Sequence, residues 1–369
     1  MCRESLAHRG DAPPLSLVTK DFPDFDLTKD VNPSWAASKL VEASTMRDMR
    51  SRIRTAVDAL GMEDLNSAMA SFEGIKKPRG HRKDPLDVFD HVSMEEDFHV
   101  SKIEVPFPTL GRSTGGIGPS ELWQLGARFG EGKTQLATCF AARAAKCGYR
   151  AVYSSLEMPA KKISRLIALR LAGNDRSLVA ALQGNDFKAQ KKALDQIAAM
   201  TPGSVAVFDP KYGKVGSTSA ITEMAGDFDL VIVDHVGLMT TSDGRRAIDD
   251  WRAQALISNV LREATLATGT PILCTAQVNR EGERPGSSSP PKPGSLAGSD
   301  ALGQDADVVV TGKRLSTRTM VMEAGKNRDG PELRWWIRFD PAKNRFEEIP
   351  KDAMTELAAS DEGNKSDID

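Results

Sequence analysis

The sequence is poor in cysteine and aromatic residues and has no long apolar run. It has four cysteines in 369 residues and none forms a CxxC pair, which disfavours structural zinc and suits reduced thiols in the cytoplasm. No run of roughly 18 apolar residues and no signal-peptide pattern occurs, so we expect a soluble protein without a membrane partner. The formal net charge of -2 is compatible with a local basic channel, and therefore neither supports nor excludes DNA binding.

Composition predicts three parts. Residues 1–100 are polar and punctuated by proline, with helical stretches predicted at about 33–60 and near 62–72, and are interpreted as an accessory or linker segment. Residues 101–350 are long enough to form one large core. Residues 351–369 contain six acidic residues and two lysines, and we expect this tail to be disordered.

Short apolar runs alternate with helical patterns from residue 121 onward. This alternation predicts an α/β fold with a mostly parallel, twisted sheet flanked by helices. The predicted strands are 121–125, 150–155, 204–208, 229–233 and 271–276, and the predicted helices are 133–147 and 246–267. Residues 281–295 are rich in Gly, Pro and Ser and predict a long mobile loop, whereas strands near 319–324 and 333–339 resemble a hairpin around the turn 327–331.

The segment ELWQLGARFGEGKTQL, residues 121–136, has the strand, loop and helix order of a phosphate-binding P-loop. Backbone N–H groups around Gly130 and Gly132 can surround a β-phosphate, Lys133 can reach the β- and γ-phosphates, and the Thr134 hydroxyl suits Mg²⁺. ATP and Mg²⁺ are therefore the expected cofactors, although a chance glycine-rich turn is the alternative. The predicted nucleotide-binding residues are Gly126, Ala127, Arg128, Phe129, Gly130, Glu131, Gly132, Lys133, Thr134 and Gln135.

Three polar residues end predicted strands. Asp234 follows the apolar run LVIV and has the form of a Walker B aspartate, which predicts that Asp234 and Thr134 hold Mg²⁺. Glu157 follows the strand after the P-loop helix, where a carboxylate can polarise the attacking water. Gln277 ends the last core strand and can sense the γ-phosphate. Strands often end in polar residues, so an ordinary surface position is the alternative for each of the three.

Together these segments resemble the RecA-like C-terminal motor domain of DnaB-type replicative helicases, including their phage relatives, over roughly residues 105–350. The motifs are the P-loop, SLEM at 155–158, VDHVGLM, TAQVNR at 275–280, GQDADVVV at 303–310 and GKNRDGP at 325–331. The resemblance implies a homo-oligomeric ring, expected to be a hexamer, with catalytic roles for Glu157 and Gln277. It also implies that Lys326 and the arginine finger Arg328 reach the ATP of the neighbouring subunit.

Two departures from the family pattern affect the expected DNA contacts. The family usually has an Arg-Glu pair where this chain has Ala297 and Gly298, and residues 1–100 do not resemble the family's helical collar, although 33–60 is a candidate linker helix. Single-stranded DNA is expected to contact loops 239–247 and 281–301, with solvated loops as the alternative. The predicted DNA-binding residues are Arg245, Arg246, Arg284 and Lys292.

The predicted function is an ATP-dependent ring helicase that translocates on single-stranded DNA and unwinds duplex DNA during replication. The acidic tail can dock a primase or polymerase, or merely aid solubility. Two alternatives remain: a strand-exchange recombinase, which TGGIGPSELWQL also resembles, and a nucleotide-gated switch or loader. ATP turnover with and without single-stranded DNA separates them. The expected location is the cytoplasm, which is the host's if the protein is phage-encoded.

Overall fold

The computed structural model describes residues 102–212, 215–248, 250–278, 288–296, 300–341 and 344–363. The chain divides into two units, Met1–Asp97 and Phe98–Asp369, and the described residues all belong to the second. The candidate helix at 33–60 lies outside the described residues, so the accessory segment stays a prediction.

A nine-stranded sheet forms the centre of the second unit, with strand order β3-β2-β4-β5-β1-β6-β7-β8-β9. The strands from β3 to β6 in this order are mutually parallel, and β6 to β9 are antiparallel. The five predicted core strands are confirmed to within two residues at each end. Their observed bounds, with those of the later strands, are β1 Leu122–Ala127, β2 Arg150–Ser155, β3 Ser204–Phe208, β4 Leu230–Asp234, β5 Ile272–Gln277, β6 Val308–Arg314, β7 Thr319–Asn327, β8 Leu333–Asp340 and β9 Arg345–Ile349.

Helices cover both faces of the sheet, as the predicted α/β class requires. They are α1 Pro108–Thr114, α2 Lys133–Lys146, α3 Ala160–Ala172, α4 Arg176–Gln183, α5 Phe187–Met200, α6 Thr218–Asp227, α7 Trp251–Thr268, α8 Asp300–Asp305 and α9 Lys351–Gly363, with short 3₁₀ turns at Pro210–Tyr212, Val236–Leu238 and Pro293–Ser295. The helix predicted at 246–267 begins later, at Trp251. The reason is that the Asp250 carboxylate accepts from the N–H of Arg252 and so caps the first turn.

Two apolar layers explain why the parallel strands are buried on both sides. All five residues of β4 are buried, and its four apolar residues alternate between the layers. Ile232 belongs to the layer that contains Trp123 of β1 and Phe140 of α2, whereas Val231 belongs to the layer that contains Ile257 of α7. A parallel sheet covered on both faces brings the carboxyl ends of its strands to one edge, which is where ligands bind in this architecture.

The C-terminal part agrees with the predicted hairpin but not with the predicted tail. Strands β7 and β8 pair antiparallel, and the N–H of Gly330 donates to the carbonyl oxygen of Asn327 in the turn. Residues 351–363 form helix α9, where disorder was expected, because the run is rich in Ala, Leu, Met and Glu, which favour a helix. The helix contacts β7 and β8, and Lys351 Nζ lies 5.7 Å from the Trp336 ring. Residues 364–369 lie outside the described residues.

The sequence analysis does not predict β6, β9 or the helices α1, α3, α4, α5, α6 and α8. Helices α3, α4 and α5 account for the amphipathic patterns between residues 160 and 200. Part of the loop predicted at 281–295 is described, and it contains the 3₁₀ turn Pro293–Ser295. Among the described helices, none is both long enough and apolar enough to cross a membrane.

Candidate nucleotide-binding site

The predicted phosphate-binding loop connects β1, which ends at Ala127, to α2, which begins at Lys133. Gly130 and Gly132 have φ values of 77° and 95°, in the left-handed region that favours glycine. A Cβ on Gly132 would lie 2.1 Å from Cζ of the buried Phe339, so the loop packs directly on β8. The loop therefore turns sharply and leads the backbone into the N-terminus of α2, where N–H groups can receive a phosphate.

Lys133 is the first residue of α2, and its side chain reaches back to the loop. Its Nζ donates to the carbonyl oxygens of Ala127 and Arg128, each at 3.2 Å. Burial lowers the pKa of Lys133, while the carboxylates of Asp234, Glu157 and Glu131 act in the opposite direction. The ammonium is thus held by weak carbonyl partners that a phosphate group can replace.

Asp234 is buried at the tip of β4 and accepts three hydrogen bonds. The donors are the hydroxyls of Thr134 at 2.7 Å and Tyr153 at 2.8 Å, both to Oδ2, and that of Thr275 at 2.6 Å to Oδ1. Burial, followed by the charge of Asp234, raises the pKa of Tyr153 well above its usual value, so the phenol remains a proton donor. The adjacent oxygens of Thr134 and Asp234 fit Mg²⁺, which prefers hard oxygen ligands.

Glu157 and Gln277 lie at the same edge of the sheet. Glu157 follows β2, its side chain is 51% exposed, and its Oε2 lies 3.9 Å from Nε2 of His235. The N–H of Leu156 donates to the carbonyl oxygen of Asp234 at 2.7 Å and ties these two strand ends together. Gln277 ends β5 opposite Ala127 of the P-loop strand and is exposed. A carboxylate and an amide therefore flank the loop where a γ-phosphate would lie.

Sequence reasoning did not single out Tyr153, Thr275 and His235, which surround Asp234. Tyr153 and Thr275 are residue types common in any buried strand, so the sequence offers no signal for their polar role. His235 is nearly buried, and burial lowers its pKa. Its position directly after Asp234 was the one available signal.

The other predicted nucleotide-binding residues have varied surroundings. The N–H of Arg128 donates to the Glu131 carboxylate at 3.1 Å, which closes the loop on itself. Phe129 is 78% exposed at the loop tip, whereas the Gln135 amide oxygen accepts from the Arg170 guanidinium. Gly126 is packed tightly, because a Cβ there would lie 2.6 Å from Cδ2 of Leu296.

Lys326 and Arg328 lie beside the amino ends of β1 and β6, whereas the P-loop lies at the carboxyl end of β1. In the strand register, Asn327 pairs with Val308, Val308 pairs with Trp123, and the P-loop end of β1, Ala127, pairs with Gly312. The distance along β6 from Val308 to Gly312 is about 13 Å at roughly 3.3 Å per residue. The structure therefore does not bring these two cations to the P-loop of their own chain.

Both cations have partners within the chain. Lys326 Nζ donates to the carbonyl oxygens of Gly303 at 2.9 Å and Gln304 at 2.7 Å. Arg328 Nη1 donates to Asp307 Oδ1 at 2.7 Å. Burial, followed by the charge of Arg328, lowers the pKa of Lys326.

Three of the predicted DNA-binding residues, Arg245, Arg246 and Lys292, lie in the described segments that follow β4 and β5. Arg245 Nε lies 2.9 Å from Asp243 Oδ2, and its Nη1 lies 3.7 Å from Asp250 Oδ2. Arg246 and Lys292 are exposed, whereas Arg284 lies outside the described residues. The described part of this prediction is thus a set of exposed cations at the edge that also carries the P-loop.

The fold and the glycine-bearing loop define a P-loop α/β domain. Residues 103–348 match the family model of the DnaB-like helicase C terminal domain. The chain belongs to this family, which confirms the resemblance seen in the sequence.

Individual relatives are distant. The chain is 25% identical over 272 residues to the replicative DNA helicase DnaB of Haemophilus influenzae, covering 69% of this chain and 57% of the relative. It is 29% identical over 245 residues to the DnaB of Treponema pallidum, covering 64% and 54%. The chain thus spans about half the length of these curated relatives.

Solved structures support the fold. One of them, described as an ATPase domain, superposes with a TM-score of 0.60 at 21% identity, covering 72% of this chain and all of that domain. A DnaB-like replicative helicase, described with its interactions with primase, gives a TM-score of 0.60 at 17% identity and covers 95% of this chain and 90% of that one. At these identities the likeness confirms the predicted RecA-like α/β core.

Proposed function

We propose that this chain is the motor of a ring-shaped helicase that hydrolyses ATP, translocates on single-stranded DNA and unwinds duplex DNA during replication. One observation carries the proposal: the 2.7 Å contact between Thr134 of the P-loop helix and Asp234 at the tip of β4. This contact supports the proposal, because a P-loop enzyme uses a hydroxyl and a carboxylate that lie side by side as magnesium ligands. Membership of the DnaB-like helicase family supports ATP-driven unwinding as the reaction.

Each side chain has a separate role in the proposed reaction. Lys133 binds the β- and γ-phosphates, while Thr134 and Asp234 hold Mg²⁺, which neutralises charge on the phosphates when bound. The exposed Glu157 carboxylate orients and deprotonates the attacking water. Gln277 contacts the γ-phosphate and reports its presence to the loop that follows β5.

The active site is proposed to be shared between subunits of a homo-hexamer. Lys326 and Arg328 lie at the sheet edge opposite the P-loop, so a second chain is needed to bring them to a bound nucleotide. A guanidinium supplied by the neighbour stabilises charge on the transferring phosphoryl group and makes hydrolysis depend on the ring.

Single-stranded DNA is proposed to bind loops 239–247 and 281–301 in the ring's channel. Support comes from the exposed cations Arg245, Arg246 and Lys292 at the carboxyl edge of the sheet. Loops at this edge move with the γ-phosphate sensor, which gives a route from hydrolysis to DNA movement.

A primase or polymerase is proposed as a further partner through the acidic C-terminal segment. A DnaB-like neighbour is described with its interactions with primase, and residues 352–369 of this chain carry six acids.

The free thiols of Cys139, Cys147 and Cys274 agree with a cytoplasmic site of action, in the host cell if the protein is phage-encoded.

Steady-state ATP turnover with and without single-stranded DNA tests the proposed function. A translocating motor is strongly stimulated by the strand. Slow turnover that DNA leaves unchanged would instead identify a nucleotide-gated switch or loader. Strand displacement on a forked duplex then separates a helicase from any other DNA-stimulated ATPase.

A further inference from the structure

A buried carboxylate, Asp307, lies at the amino end of β6 and contacts the proposed finger Arg328. Oδ1 of Asp307 accepts from Arg328 Nη1 at 2.7 Å, and the carbonyl oxygen of Asp307 accepts from the N–H of Arg328 at 3.0 Å. Arg328 is therefore tied to one residue by both its side chain and its main chain.

The second carboxylate oxygen of Asp307 accepts hydrogen bonds from β1 and α7. Oδ2 accepts from the N–H of Leu122 in β1 at 2.9 Å and from Nη1 of Arg262 in α7. These two donors fix the plane of the carboxylate, so Oδ1 points in one direction only. The direction of Arg328 is thus set by β1 and α7 through Asp307.

The exposure of the three side chains matches this arrangement. Side-chain exposure falls from 55% for Arg328 to 24% for Arg262 and 10% for Asp307. The finger projects into solvent while its anchor is buried. Lys326, the second proposed trans cation, is held by carbonyl oxygens of Gly303 and Gln304 in the segment that leads to Asp307.

We propose that Asp307, clamped by Arg262, is a positioning residue that aims Arg328 at the nucleotide of the neighbouring subunit. This inference rests on the proposed site shared between subunits. A simpler role, in which the Asp307–Arg262 pair only pins α7 to β1, would leave Arg328 independent of Asp307. The two roles differ in whether a neighbouring subunit with an intact Asp307 can restore the ATPase activity that a change at Asp307 removes.

The first test is the substitution Asp307→Asn, which keeps the side-chain size and an acceptor oxygen but removes the charge. We expect kcat for ATP to fall about 10- to 100-fold, the loss typical of a misplaced catalytic group. The affinity of a fluorescent ATP analogue should stay unchanged, since the chain's own P-loop lies at the other edge of the sheet. An unchanged kcat in folded Asp307→Asn protein overturns the proposal.

The second test mixes Asp307→Asn with Lys133→Ala protein under conditions where subunits exchange. In a mixed ring, the intact P-loop of an Asp307→Asn chain can face the correctly aimed finger of a Lys133→Ala chain. ATPase activity should therefore return. A parallel mixture of Arg328→Ala with Lys133→Ala is the reference.

The outcomes separate this proposal from the one on which it rests. Recovery in the Arg328→Ala mixture without recovery in the Asp307→Asn mixture overturns the role of Asp307 alone. No recovery in either mixture, despite demonstrated exchange, overturns the shared site itself.

A matched control and a second variant complete the test. Glu323→Gln removes a carboxylate that pairs with Arg334 on the same β7–β8 hairpin, and its kcat should stay unchanged. If Asp307→Asn does not fold, Arg262→Lys replaces it, because it keeps the charge beside Asp307 but loses the planar guanidinium that fixes the carboxylate. The same loss of kcat, restored by mixing, is expected, and an unaltered kcat overturns the proposal.

Discussion

Thr134 and Asp234 are one hundred residues apart in the chain and are joined by a 2.7 Å hydrogen bond. Asp234 reaches this position because β4 ends at the same edge of the sheet as the P-loop strand β1. The bond links the first turn of α2 to the tip of β4. In the proposed mechanism, these two oxygens would hold magnesium, which would neutralise charge on the phosphates of a bound nucleotide.

Lys133→Ala and Glu157→Gln are expected to fail in different ways. Removing the half-buried ammonium weakens nucleotide binding, whereas removing only the proposed base leaves ATP bound and unhydrolysed. Equilibrium titration with a labelled nucleotide and single-turnover hydrolysis measure the two steps separately. Equal loss of binding in both variants would contradict the role assigned to Glu157.

Gly132→Ala should harm the protein more than Gly130→Ala. Both glycines have positive φ, which costs another residue roughly 1–2 kcal/mol. At Gly132 the added Cβ also meets Phe339 at 2.1 Å, whereas nothing lies within 4 Å of the same atom at Gly130. Overpacking adds about 1–3 kcal/mol. Urea denaturation should show the difference, and equal losses of stability would contradict the close contact.

Arg328→Ala and Lys133→Ala should each be inactive, yet a mixture should regain part of its ATPase activity. Random exchange at equal amounts leaves roughly one interface in four with both an intact P-loop and an intact finger, since closed rings repeat one interface. Activity should be followed against mixing ratio, with exchange shown by labelled subunits. A shared site would be excluded if fully exchanged mixtures stayed inactive.

Charge-neutral substitution of the four proposed DNA contacts should weaken single-stranded DNA binding and reduce its salt dependence. The variant replaces Arg245, Arg246, Arg284 and Lys292 by Gln. Each lost phosphate contact lowers the magnitude of the salt slope by about 0.7. The matched control replaces the exposed lysines Lys188, Lys191 and Lys192 of α5 and should leave both quantities unchanged. An unaltered slope in the first variant would mean that other residues line the channel.

Truncation after Gly363 should spare intrinsic ATP turnover. The structure makes this a cleaner deletion than removal of residues 352–369, because α9 contacts the β7–β8 hairpin that carries the proposed finger. A companion variant, Asp352→Asn with Glu356→Gln, removes exposed acids while keeping the helix. Both should turn over ATP normally, and a substantial loss in either would rule out an interaction-only role for these acids.

The P-loop and the polar strand ends were predictable from the sequence because their signals are local. The loop between β1 and α2 needs glycines at positive φ within a few residues of Lys133, and a buried strand ending in Asp234 reads as an apolar run. Only the family resemblance points to Lys326 and Arg328, since a lysine near a strand end and an arginine in a turn carry no signal of their own. Helix α9 was missed because its acidic composition concealed a helix stabilised by contact with the hairpin.

The amino-acid pattern predicts five of the six parallel strands, all but β6, and the polar residues that follow three of them. These features are predictable because apolar periodicity and glycine placement act over a few residues. The strand order follows only from three-dimensional packing, and this order brings Thr134, Tyr153 and Thr275 together around Asp234. It also decided that Arg328 lies with Asp307 at the edge opposite the P-loop. These relations depend on how the strands pair across long distances in the chain, and long-range packing leaves no periodic trace in the sequence.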